Sequence, residues 1–310
     1  MITVLCGGVG GSRLMRALAN VLAPERLTAV INTGDDAWFH GLYVSPDPDI
    51  VTYALAGHVD AARGWGLHDD TFRWNAAIGR FGHETWFQIG DRDLATHVHR
   101  TRLLREGATL SQAMTDIARA FGVRSRLLPM SDDRVRTVVE TDAGDLPFQR
   151  YLVERHAQDA VRGVRYDGAA NAVPAPGVLE AIAEAEAIVV APSNPIGSIG
   201  PILSVPGVRD AVSSSRATRV AVSGIIGGRS LQPPAGEMLA GMGYTVDVAG
   251  VAAYYAGLID TLIIDEADAA LAAAVQACGL RARVTPTLMR DASAGAALAR
   301  VALAAAGVVP

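Results

Sequence analysis

Met1-Ile2-Thr3-Val4-Leu5-Cys6-Gly7-Gly8-Val9-Gly10-Gly11-Ser12-Arg13-Leu14 opens the chain, and the predicted fold is built outward from this stretch. An apolar run, a glycine cluster and leucines at helical spacing (Leu14, Leu18, Leu22) predict a strand, a tight loop and a helix. Glycines let the backbone approach a ligand closely, and unpaired N–H groups at a helix N-terminus attract phosphate. The loop matches neither G-x-G-x-x-G nor the P-loop pattern, so it predicts a phosphate site of unassigned type. The alternative is that the glycines only form a tight turn.

The composition of the 310 residues excludes several classes of protein. Half of the residues are hydrophobic, yet no run approaches the roughly 18 apolar residues of a membrane span, and no basic segment precedes the first apolar run. Cys6 and Cys278 are far apart, which predicts neither a disulfide framework nor a zinc site. We therefore expect a soluble, cytoplasmic protein with no membrane partner. A formal net charge of −5 without a Lys/Arg-rich run argues against a nucleic-acid partner and leaves a small anionic ligand open.

Carboxylates follow the second predicted strand and precede the next predicted helix. The strand at residues 27–32 leads into Thr33-Gly34-Asp35-Asp36, and acidic residues at such a strand end can take sugar hydroxyls or a cation. In Ser45-Pro46-Asp47-Pro48-Asp49, the two prolines stiffen the backbone around Asp47 and Asp49. Two fixed carboxylates suit Mg²⁺, so a metal site is predicted here. The alternative for Asp49 is that it only caps the following helix.

Aromatic and charged residues gather between residues 61 and 124. Trp65 and Trp86 lie in predicted loops, where they can stack on a flat ring, although packing between helix and sheet is the commoner use of such residues. The cluster Gly90-Asp91-Arg92-Asp93-Leu94-Ala95-Thr96-His97 predicts the start of a helix that ends near Glu106. A solvated helix end explains part of this charge, but it does not explain why acids, bases and histidines concentrate beside one glycine.

Alternating strands and helices determine the predicted fold class. A β-hairpin is predicted around Asp142–Asp145, and further strands are predicted at residues 187–191, 219–222, 244–248, 261–264 and 283–285. The loops 192–201 and 223–229 repeat the strand-to-loop pattern of the N-terminus. Three such loops predict a Rossmann-like α/β fold with a doubly wound, mostly parallel sheet and a ligand where the strand order reverses. We predict one α/β domain over residues 1–310, with residues 50–175 as an inserted helical and β-hairpin subdomain that shapes one side of the ligand site.

Six motifs occur in an order that resembles one known family, the CofD/FbiA family. Its members are 2-phospho-L-lactate transferases, also described as phosphoenolpyruvate transferases, of coenzyme F-420 biosynthesis. The resemblance covers roughly residues 1 to 235. The motifs are Gly7-Gly8-Val9-Gly10-Gly11, Asn32-Thr33-Gly34-Asp35-Asp36, Ser45-Pro46-Asp47-Pro48-Asp49, Gly90-Asp91-Arg92-Asp93-Leu94-Ala95-Thr96-His97, Met130-Ser131-Asp132-Asp133 and Ala191-Pro192-Ser193-Asn194-Pro195.

The resemblance implies a Mg²⁺-dependent phosphotransferase that acts on small molecules. A guanosine-diphosphate-linked donor would pass its phospholactyl or phosphoenolpyruvyl group to the terminal ribityl hydroxyl of the deazaflavin Fo, and GMP would leave. The hydroxyl would attack the phosphorus in line, and the protein would supply positioning and charge neutralisation. The resemblance leaves the oligomeric state open, with a homodimer as one alternative.

The resemblance also implies roles for individual residues. Mg²⁺ would be held by Asp47 and Asp49, and Asp47 is also the leading candidate to accept the hydroxyl proton, an ambiguity that the sequence leaves open. Arg92 would take part in catalysis by placing its positive charge against the negative charge of the phosphates. The donor would contact Gly7, Gly8, Gly10, Gly11, Ser12, Ser193, Asn194 and Pro195. The acceptor Fo would contact Asp47, Asp91, Arg92 and, from ring chemistry, Trp65 or Trp86.

Two other functions remain as alternatives. A non-catalytic nucleotide-sugar-binding regulator of the YvcK type would share the glycine loop and the fold, but it has less reason to combine Asp47 with the charged cluster at residues 90–93. A nicotinamide-dependent oxidoreductase would need the G-x-G-x-x-G pattern, which the loop lacks. Two departures from the family, Ser223-Gly224 and Arg229, bear on donor binding. Finally, Gly10→Val is expected to block the donor while leaving the fold intact.

Overall fold

Strands and helices alternate along most of the chain, of which the computed structural model describes residues 1–231 and 233–309. The strands are β1 (Ile2–Cys6), β2 (Leu27–Ile31), β3 (Ala37–Phe39), β4 (Leu42–Val44), β5 (Arg126–Pro129), β6 (Arg136–Thr141), β7 (Gly144–Pro147), β8 (Val161–Asp167), β9 (Ala187–Val190), β10 (Thr218–Val222), β11 (Ile225–Ile226), β12 (Arg229–Ser230), β13 (Thr261–Ile264) and β14 (Arg281–Val284). Seven of them form a parallel sheet in the order β14-β13-β10-β9-β1-β2-β5, which confirms the predicted fold class.

Helices cover both faces of this sheet. The α-helices are α1 (Gly8–Ala19), α2 (Pro46–Ala56), α3 (Arg73–Ile78), α4 (Asp93–Arg105), α5 (Leu110–Ala120), α6 (Val178–Ala183), α7 (Gly200–Ser204), α8 (Val208–Ser214), α9 (Ala235–Gly241), α10 (Val248–Tyr255), α11 (Ala272–Ala277) and α12 (Ala292–Ala305). Short 3₁₀-helices span Pro24–Arg26, Gly79–Phe81, Ala169–Asn171 and Glu266–Leu271, and π-helical turns span Arg150–Glu154 and Pro195–Ile199. In the described part of the chain, none of the helices combines the length and the apolar character needed to span a membrane.

The order of the strands reverses at β1, in the middle of the sheet. From β1 the chain adds β2 and then β5 on one side, and after β5 it crosses over to add β9, β10, β13 and β14 on the other. Ile2 therefore pairs with Leu27 of one neighbour and with Ala187 of the other. In an open α/β sheet, the carboxyl ends of the strands at such a reversal border a crevice that binds ligands. Here the loops that follow β1 and β9 meet at that point.

The strands in the centre of the sheet are buried on both faces. All five residues of β1 and all five of β2 are buried, as expected of parallel strands covered by helices on both sides. Because side chains alternate along a strand, Leu5 packs into one hydrophobic core while Val4 packs into the other. The sheet therefore holds the two loops at its carboxyl edge on a rigid base.

The stretch predicted as one insertion, residues 50–175, is interrupted by a strand of the central sheet. Val30 of β2 pairs in parallel with Leu128 of β5, so residues 126–129 belong to the core fold and divide the elaboration into two pieces. The hairpin predicted around Asp142–Asp145 is present as β6 and β7, and β8 extends it to three antiparallel strands. The insertion as one continuous subdomain is therefore wrong.

The strand predicted at residues 244–248 is also absent. The Asp247 side chain accepts a hydrogen bond of 2.8 Å from the backbone N–H of Gly250, and this N-cap starts α10 at Val248. Apolar residues alone suggested a strand here, but a capping aspartate directs the chain into a helix.

Candidate active site

A cavity of about 670 Å³ opens at the carboxyl edge of the sheet, where the strand order reverses. One wall is formed by the loops after β1 and β9, which contribute Gly7, Gly10 and Ser193. Another part of the lining includes Trp65 and Trp86, from the long connection between α2 and α4. Pockets of 300–1,000 Å³ are typical of small-molecule and cofactor sites, so the volume suits a ligand of that size. We refer to these two sides as the sheet wall and the aromatic wall.

The glycine loop on the sheet wall passes directly from strand to helix. Gly7 occupies the N-cap position of α1, and no side chain caps this helix end. Gly8 has a φ of 64°, a left-handed conformation that favours glycine. The loop is fastened to the second loop by Ser193, whose Oγ donates to the carbonyl of Gly7 (2.7 Å) and accepts from its N–H (3.1 Å). The first turn of α1 thus faces the cavity with the positive end of its helix dipole.

Gly10 and Gly11 serve the packing of the two loops. A Cβ on Gly10 would overlap the backbone carbonyl oxygen of Pro192, and one on Gly11 would lie 2.8 Å from Ser193 Oγ. The expectation that Gly10→Val leaves the fold intact is therefore wrong, because the backbone of the neighbouring loop has to yield. Gly10 also lines the cavity.

Ser12, another predicted donor contact, is buried and donates a hydrogen bond of 2.9 Å to the carbonyl of Val9. Neither Ser12 nor Gly11 is among the residues that line the cavity. The sheet wall is formed instead by Gly7, Gly8, Val9 and Gly10. The donor contacts predicted for Ser12 and Gly11 thus have no support from the cavity lining.

The second loop uses the Asn194 side chain to organise its own backbone. Asn194 Oδ1 accepts hydrogen bonds of 3.0 Å from the N–H groups of Ile196 and Gly197, which starts the π-helical turn. Ser193 and Asn194 line the cavity as predicted, whereas Pro195 does not. Ser198, which reaches the cavity from the same turn, was not predicted because its approach depends on the irregular turn.

Asp47 lies under the glycine loop in the first turn of α2. The carboxylate is buried, and its Oδ2 accepts a hydrogen bond of 2.8 Å from Asn32 Nδ2. Burial raises the pKa of Asp47 to about 6, although hydrogen bonds from Asn32 and from the backbone of Gly8 act in the opposite direction. Such a carboxylate takes up a proton near neutral pH much more readily than an ordinary aspartate does.

Asp35 is a second buried carboxylate beside Asp47, at the end of β2. Its pKa is raised well above the usual value, first by burial and then by the charges of Asp47 and Asp36. Asp35 Oδ1 is buried and has no hydrogen-bond partner among residues 1–231 and 233–309. The negative charge of Asp47 therefore favours the protonated form of Asp35.

Asp49 has a different environment from Asp47. It forms an ion pair with the guanidinium of Arg100, which is fully buried, and Asp49 Oδ2 lies 3.6 Å from His97 Nδ1. His97 Nε2 lies in turn 3.1 Å from Asp93. Burial raises the pKa of Asp49 while Arg100 opposes that rise. For Arg100, burial disfavours the charge, but Asp49 outweighs it and the pKa is raised. Asp49 is therefore the counter-charge of a buried cation.

Two groups of side chains could be considered for a metal ion. Ligand atoms of Asp49, Asp93 and His97 lie within 4.8 Å of one another, but Arg100 already neutralises Asp49 there. Asp35 and Asp47, by contrast, are buried oxygen ligands. Their pKa values are raised because burial disfavours the ionised carboxylate, and a bound cation would favour it. Mg²⁺ prefers such hard oxygen ligands, so this second pair fits it better. The predicted pairing of Asp47 with Asp49 as metal ligands is not supported by this geometry.

The aromatic wall presents indole rings that are partly exposed. Trp65 and Trp86 both line the cavity, Trp65 with 39% of its surface exposed. The guanidinium of Arg63 lies 5.5 Å from the Trp65 ring, and that of Arg150 lies 5.4 Å from the Trp86 ring. These cations support the rings by cation–π attraction. The rings are placed where a flat ligand could stack on them.

Asp91 and Arg92 lie outside the cavity lining. Asp91 accepts hydrogen bonds from the hydroxyl of Thr71 and from the backbone N–H of Trp74 (2.8 Å), so it orders the start of α3. Arg92 is exposed and donates to the carbonyl of His68 at 3.0 Å. The roles predicted for them at the reacting atoms stay predictions without support from this geometry. Asp93, from the same motif, does line the cavity.

The third glycine loop contributes little to the site. Gly224 lines the cavity next to Pro192, whereas Arg229 is exposed in the short hairpin of β11 and β12 and does not. The predicted effect of Arg229 on phosphate contacts has no support here. Arg13, which was not predicted, does line the cavity. Its position one turn after the glycine loop was the available signal, since residues three or four apart share a helix face.

The chain is similar to known proteins in sequence and in fold. The model of the family described as 2-phospho-L-lactate transferase CofD matches residues 2–288. A relative from Kitasatospora aureofaciens named phosphoenolpyruvate transferase is 44% identical over 312 residues, covering 98% of this chain and 97% of the relative. A Methanosarcina mazei relative named 2-phospho-L-lactate transferase is 38% identical over 302 residues, covering 97% and 99%. A solved structure of a UPF0052-family protein from Bacillus halodurans is similar in fold, with a TM-score of 0.65, 18% identity and coverage of 97% and 98%.

Proposed function

The chain belongs to the family of 2-phospho-L-lactate transferase CofD, and from this premise we propose the reaction that it catalyses. It transfers a phospholactyl or phosphoenolpyruvyl group from a guanosine-diphosphate-linked donor to the ribityl hydroxyl of the deazaflavin Fo, and GMP leaves. The observation that carries this proposal is the juxtaposition, in one cavity, of an uncapped helix N-terminus, a buried aspartate with a pKa near neutrality and an aromatic wall.

The sheet wall suits the diphosphate of the donor. Gly7 at the N-cap of α1 supplies no side-chain cap, and the helix dipole adds positive potential there, although the N–H of Gly8 already donates to Asp47. Gly7 and Gly8 lack side chains that would keep phosphate oxygens away from the backbone. Ser198, from the π-helical turn after β9, adds a hydroxyl. This wall would hold the phosphate that leaves with GMP and the one that is transferred.

The aromatic wall suits the acceptor. The deazaflavin ring of Fo is flat and aromatic, and partly exposed indoles such as Trp65 and Trp86 offer it an offset stack or an edge. The cavity extends from these rings to Asp47, so a ribityl chain that starts at a stacked ring can reach the sheet wall. The acceptor hydroxyl would then approach the phosphorus from the side opposite the nucleotide.

Asp47 is the residue best suited to accept the hydroxyl proton. A general base works best when its pKa lies near the working pH, and burial raises the pKa of Asp47 to about 6. At pH 7 to 8 the carboxylate is mostly ionised, yet it is more basic than an ordinary aspartate. Asn32, which donates to its Oδ2, fixes the orientation of the group.

The alternative role of Asp47, in place of proton acceptance, is to hold a magnesium ion together with Asp35. A magnesium ion held by these two carboxylates would supply positive charge against the negative charge that develops during the transfer. Asp35 Oδ1, which is buried without a hydrogen-bond partner in the described part of the chain, is then satisfied. Asp49 would instead have a structural role, because its charge is paired with the buried guanidinium of Arg100.

The experiment that tests this proposal follows Fo and GMP in one assay. Purified protein with Mg²⁺ and a synthetic guanosine-diphosphate-linked lactyl donor is expected to change the fluorescence of Fo on binding and to release GMP at the rate at which Fo is consumed. Asp47→Asn is expected to lower kcat by about 10²–10⁴-fold, because the proton acceptor is lost. Asp69→Asn, at an exposed carboxylate, is the matched control and should retain activity.

Two outcomes would contradict the proposal. Nucleotide binding without any effect on Fo would indicate a nucleotide-binding regulator rather than a transferase. Turnover by Asp47→Asn at a near-normal rate over a full Mg²⁺ titration would remove this residue from both of its proposed roles.

The donor preference can be tested in parallel. Lactyl and enolpyruvyl donors differ at one carbon, and a difference in shape of this size is worth only about 10–200-fold in kcat/KM. We expect both donors to be used, with the enolpyruvyl donor preferred, as the name of the Kitasatospora relative suggests. A preference beyond roughly a thousandfold would indicate a dedicated contact to that carbon, and a lactyl preference would overturn the expectation.

A further inference from the structure

The charges that line the cavity are mostly negative. Four aspartates line it, namely Asp35, Asp47, Asp49 and Asp93, and a donor with a diphosphate and a carboxylate adds further negative charge. Histidines apart, Arg13 is the one basic side chain among the described residues that line the cavity. An arginine stays charged at any physiological pH, so Arg13 offers a permanent positive charge to such a ligand.

The other arginines around the site are committed elsewhere. Arg100 is buried against Asp49, Arg63 pairs with Asp60, and Arg150 pairs with Glu84 and Glu154. Within residues 1–231 and 233–309, the exposed side chain of Arg13 has neither an ion pair nor a hydrogen bond to another protein group. Its guanidinium is free to bind a ligand.

Arg13 spans the space between the two walls. Its backbone is in α1, one turn after Val9 and Gly10, on the face that lines the cavity. Its guanidinium ends beside the aromatic wall, since a Cβ placed on Gly64 would lie 3.5 Å from Arg13 Nη2. The side chain therefore extends from the phosphate loop to the neighbourhood of Trp65.

This position matches the place of the organic acid in the donor. In an in-line transfer, the acceptor hydroxyl and GMP occupy opposite sides of the phosphorus, so the organic acid projects sideways from the transfer axis. Backbone N–H groups of the glycine loop can hold the phosphates, whereas the carboxylate of the acid needs a partner of its own. A guanidinium forms two parallel hydrogen bonds with a carboxylate, which a single ammonium cannot do.

We propose that Arg13 binds the carboxylate of the organic acid on the donor and thereby determines which phosphate esters are accepted. The inference rests on the proposed transferase function. It has a direct consequence for selectivity: Arg13 recognises the group that lactyl and enolpyruvyl donors share, so it excludes esters without a carboxylate but does not distinguish these two.

The test compares three probes: GDP, the lactyl ester of GDP, and the isopropyl ester of GDP, in which a methyl group replaces the carboxylate. Calorimetry on the full chain with Mg²⁺ is expected to show that the wild type binds the lactyl ester about 10–100-fold more tightly than the isopropyl ester. Arg13→Gln should reduce this ratio to near one and leave GDP affinity within about threefold of the wild type. Arg13→Lys should retain part of the ratio, because it keeps the charge but loses the planar fork.

Arg16→Gln is the matched control, since Arg16 is exposed on the same helix one turn further on and does not line the cavity. It should keep the full ratio. An unchanged ratio in Arg13→Gln overturns the inference, and so does an equal loss of affinity for GDP and both esters, which would assign Arg13 to the diphosphate. Both results leave the transferase proposal standing, whereas a wild type that binds none of the three probes refutes that proposal itself.

Discussion

The sheet wall of the cavity is held by packing, by backbone geometry and by buried polar groups, whereas the aromatic wall is held by carboxylates and cations at the surface. On the sheet wall, Gly10 packs against the carbonyl of Pro192, and Ser193 joins two loops through reciprocal hydrogen bonds. Behind the lining of the aromatic wall itself, Asp91 orders the start of α3 in the segment that carries both tryptophans, and Arg150 supports Trp86. The sheet wall can therefore change only if the fold itself changes, whereas the aromatic wall can adjust locally.

The largest effect on stability is expected beneath the sheet wall, at Asp49. Asp49→Asn should lower the free energy of unfolding by about 3–5 kcal/mol, because it leaves Arg100 buried without a counter-charge. Urea denaturation would measure this. Glu106→Gln is the control, since Glu106 pairs with Arg102 at the surface with more than half of each side chain exposed. A loss at Asp49 as small as that at Glu106 would show that the buried pair is not essential.

Gly10→Ala should be the next most damaging change. The new Cβ overlaps the carbonyl oxygen of Pro192, and overpacking against a backbone should cost about 3 kcal/mol, the upper end of its usual range. Gly224→Ala approaches the same oxygen to 3.2 Å and should cost less than about 1 kcal/mol. Thermal unfolding of the two variants would compare them, and equal melting temperatures would contradict the role of packing on this wall.

Asp47→Asn should stabilise the protein, and only above a certain pH. The pKa of Asp47 is about 6 in the folded chain, above its ordinary value, so folding favours the protonated form. The stability that follows from this raised pKa is fully present below about pH 4, and it is lost as the pH rises through about 6. Asparagine stays neutral, so the variant should gain at most about 3 kcal/mol over the wild type at pH 7, and nothing at pH 4.

Urea denaturation between pH 4 and pH 8, with EDTA to remove divalent cations, would measure this gain. Glu184→Gln, at an exposed carboxylate without a side-chain partner in the described part of the chain, should show a constant difference from the wild type. A gain from Asp47→Asn that does not change with pH would contradict the proposed cause.

The smallest effect is expected on the aromatic wall. Asp91→Ala removes the cap at the start of α3, so amide hydrogen exchange of Arg73 and Trp74 should become roughly five- to tenfold faster while the global melting temperature stays nearly the same. Glu184→Ala, which removes an exposed carboxylate without such a cap, is the control. A large drop in global stability with Asp91→Ala would show that the two walls are not independent.

The same contrast explains what could be predicted from the sequence. The strands β1 and β9 appear as continuous apolar runs followed by glycine or hydroxyl residues, which is a local pattern, so both the fold class and the cavity edge were predictable. The strand β5 was missed because it is short and ends in Pro129, a residue that a sheet tolerates at its edge, where β5 lies.

The contacts that give individual residues different roles could not be predicted from local patterns in the sequence. Asp47 and Asp49 are two positions apart and appear equivalent in the sequence, but Asp49 finds Arg100 at a distance of 51 positions along the chain. Similarly, Gly10 resembles a ligand contact until Pro192 is placed against it. Partners of this kind are known only once the chain has folded, so the sequence predicts the right motifs but cannot assign each residue its role.

The pairing of β1 with β9 also has a consequence for how the chain is made. Gly7 and Ser193, which fasten the two loops, are 186 positions apart, so at 5–20 residues per second about 10–40 s of synthesis separate them. During this interval β1 can pair with β2, but its other edge has no strand to bind, and an unpaired apolar edge is prone to aggregation. The nascent chain must therefore be protected until β9 emerges from the ribosome, and a chain cut short before residue 187 can never form the cavity.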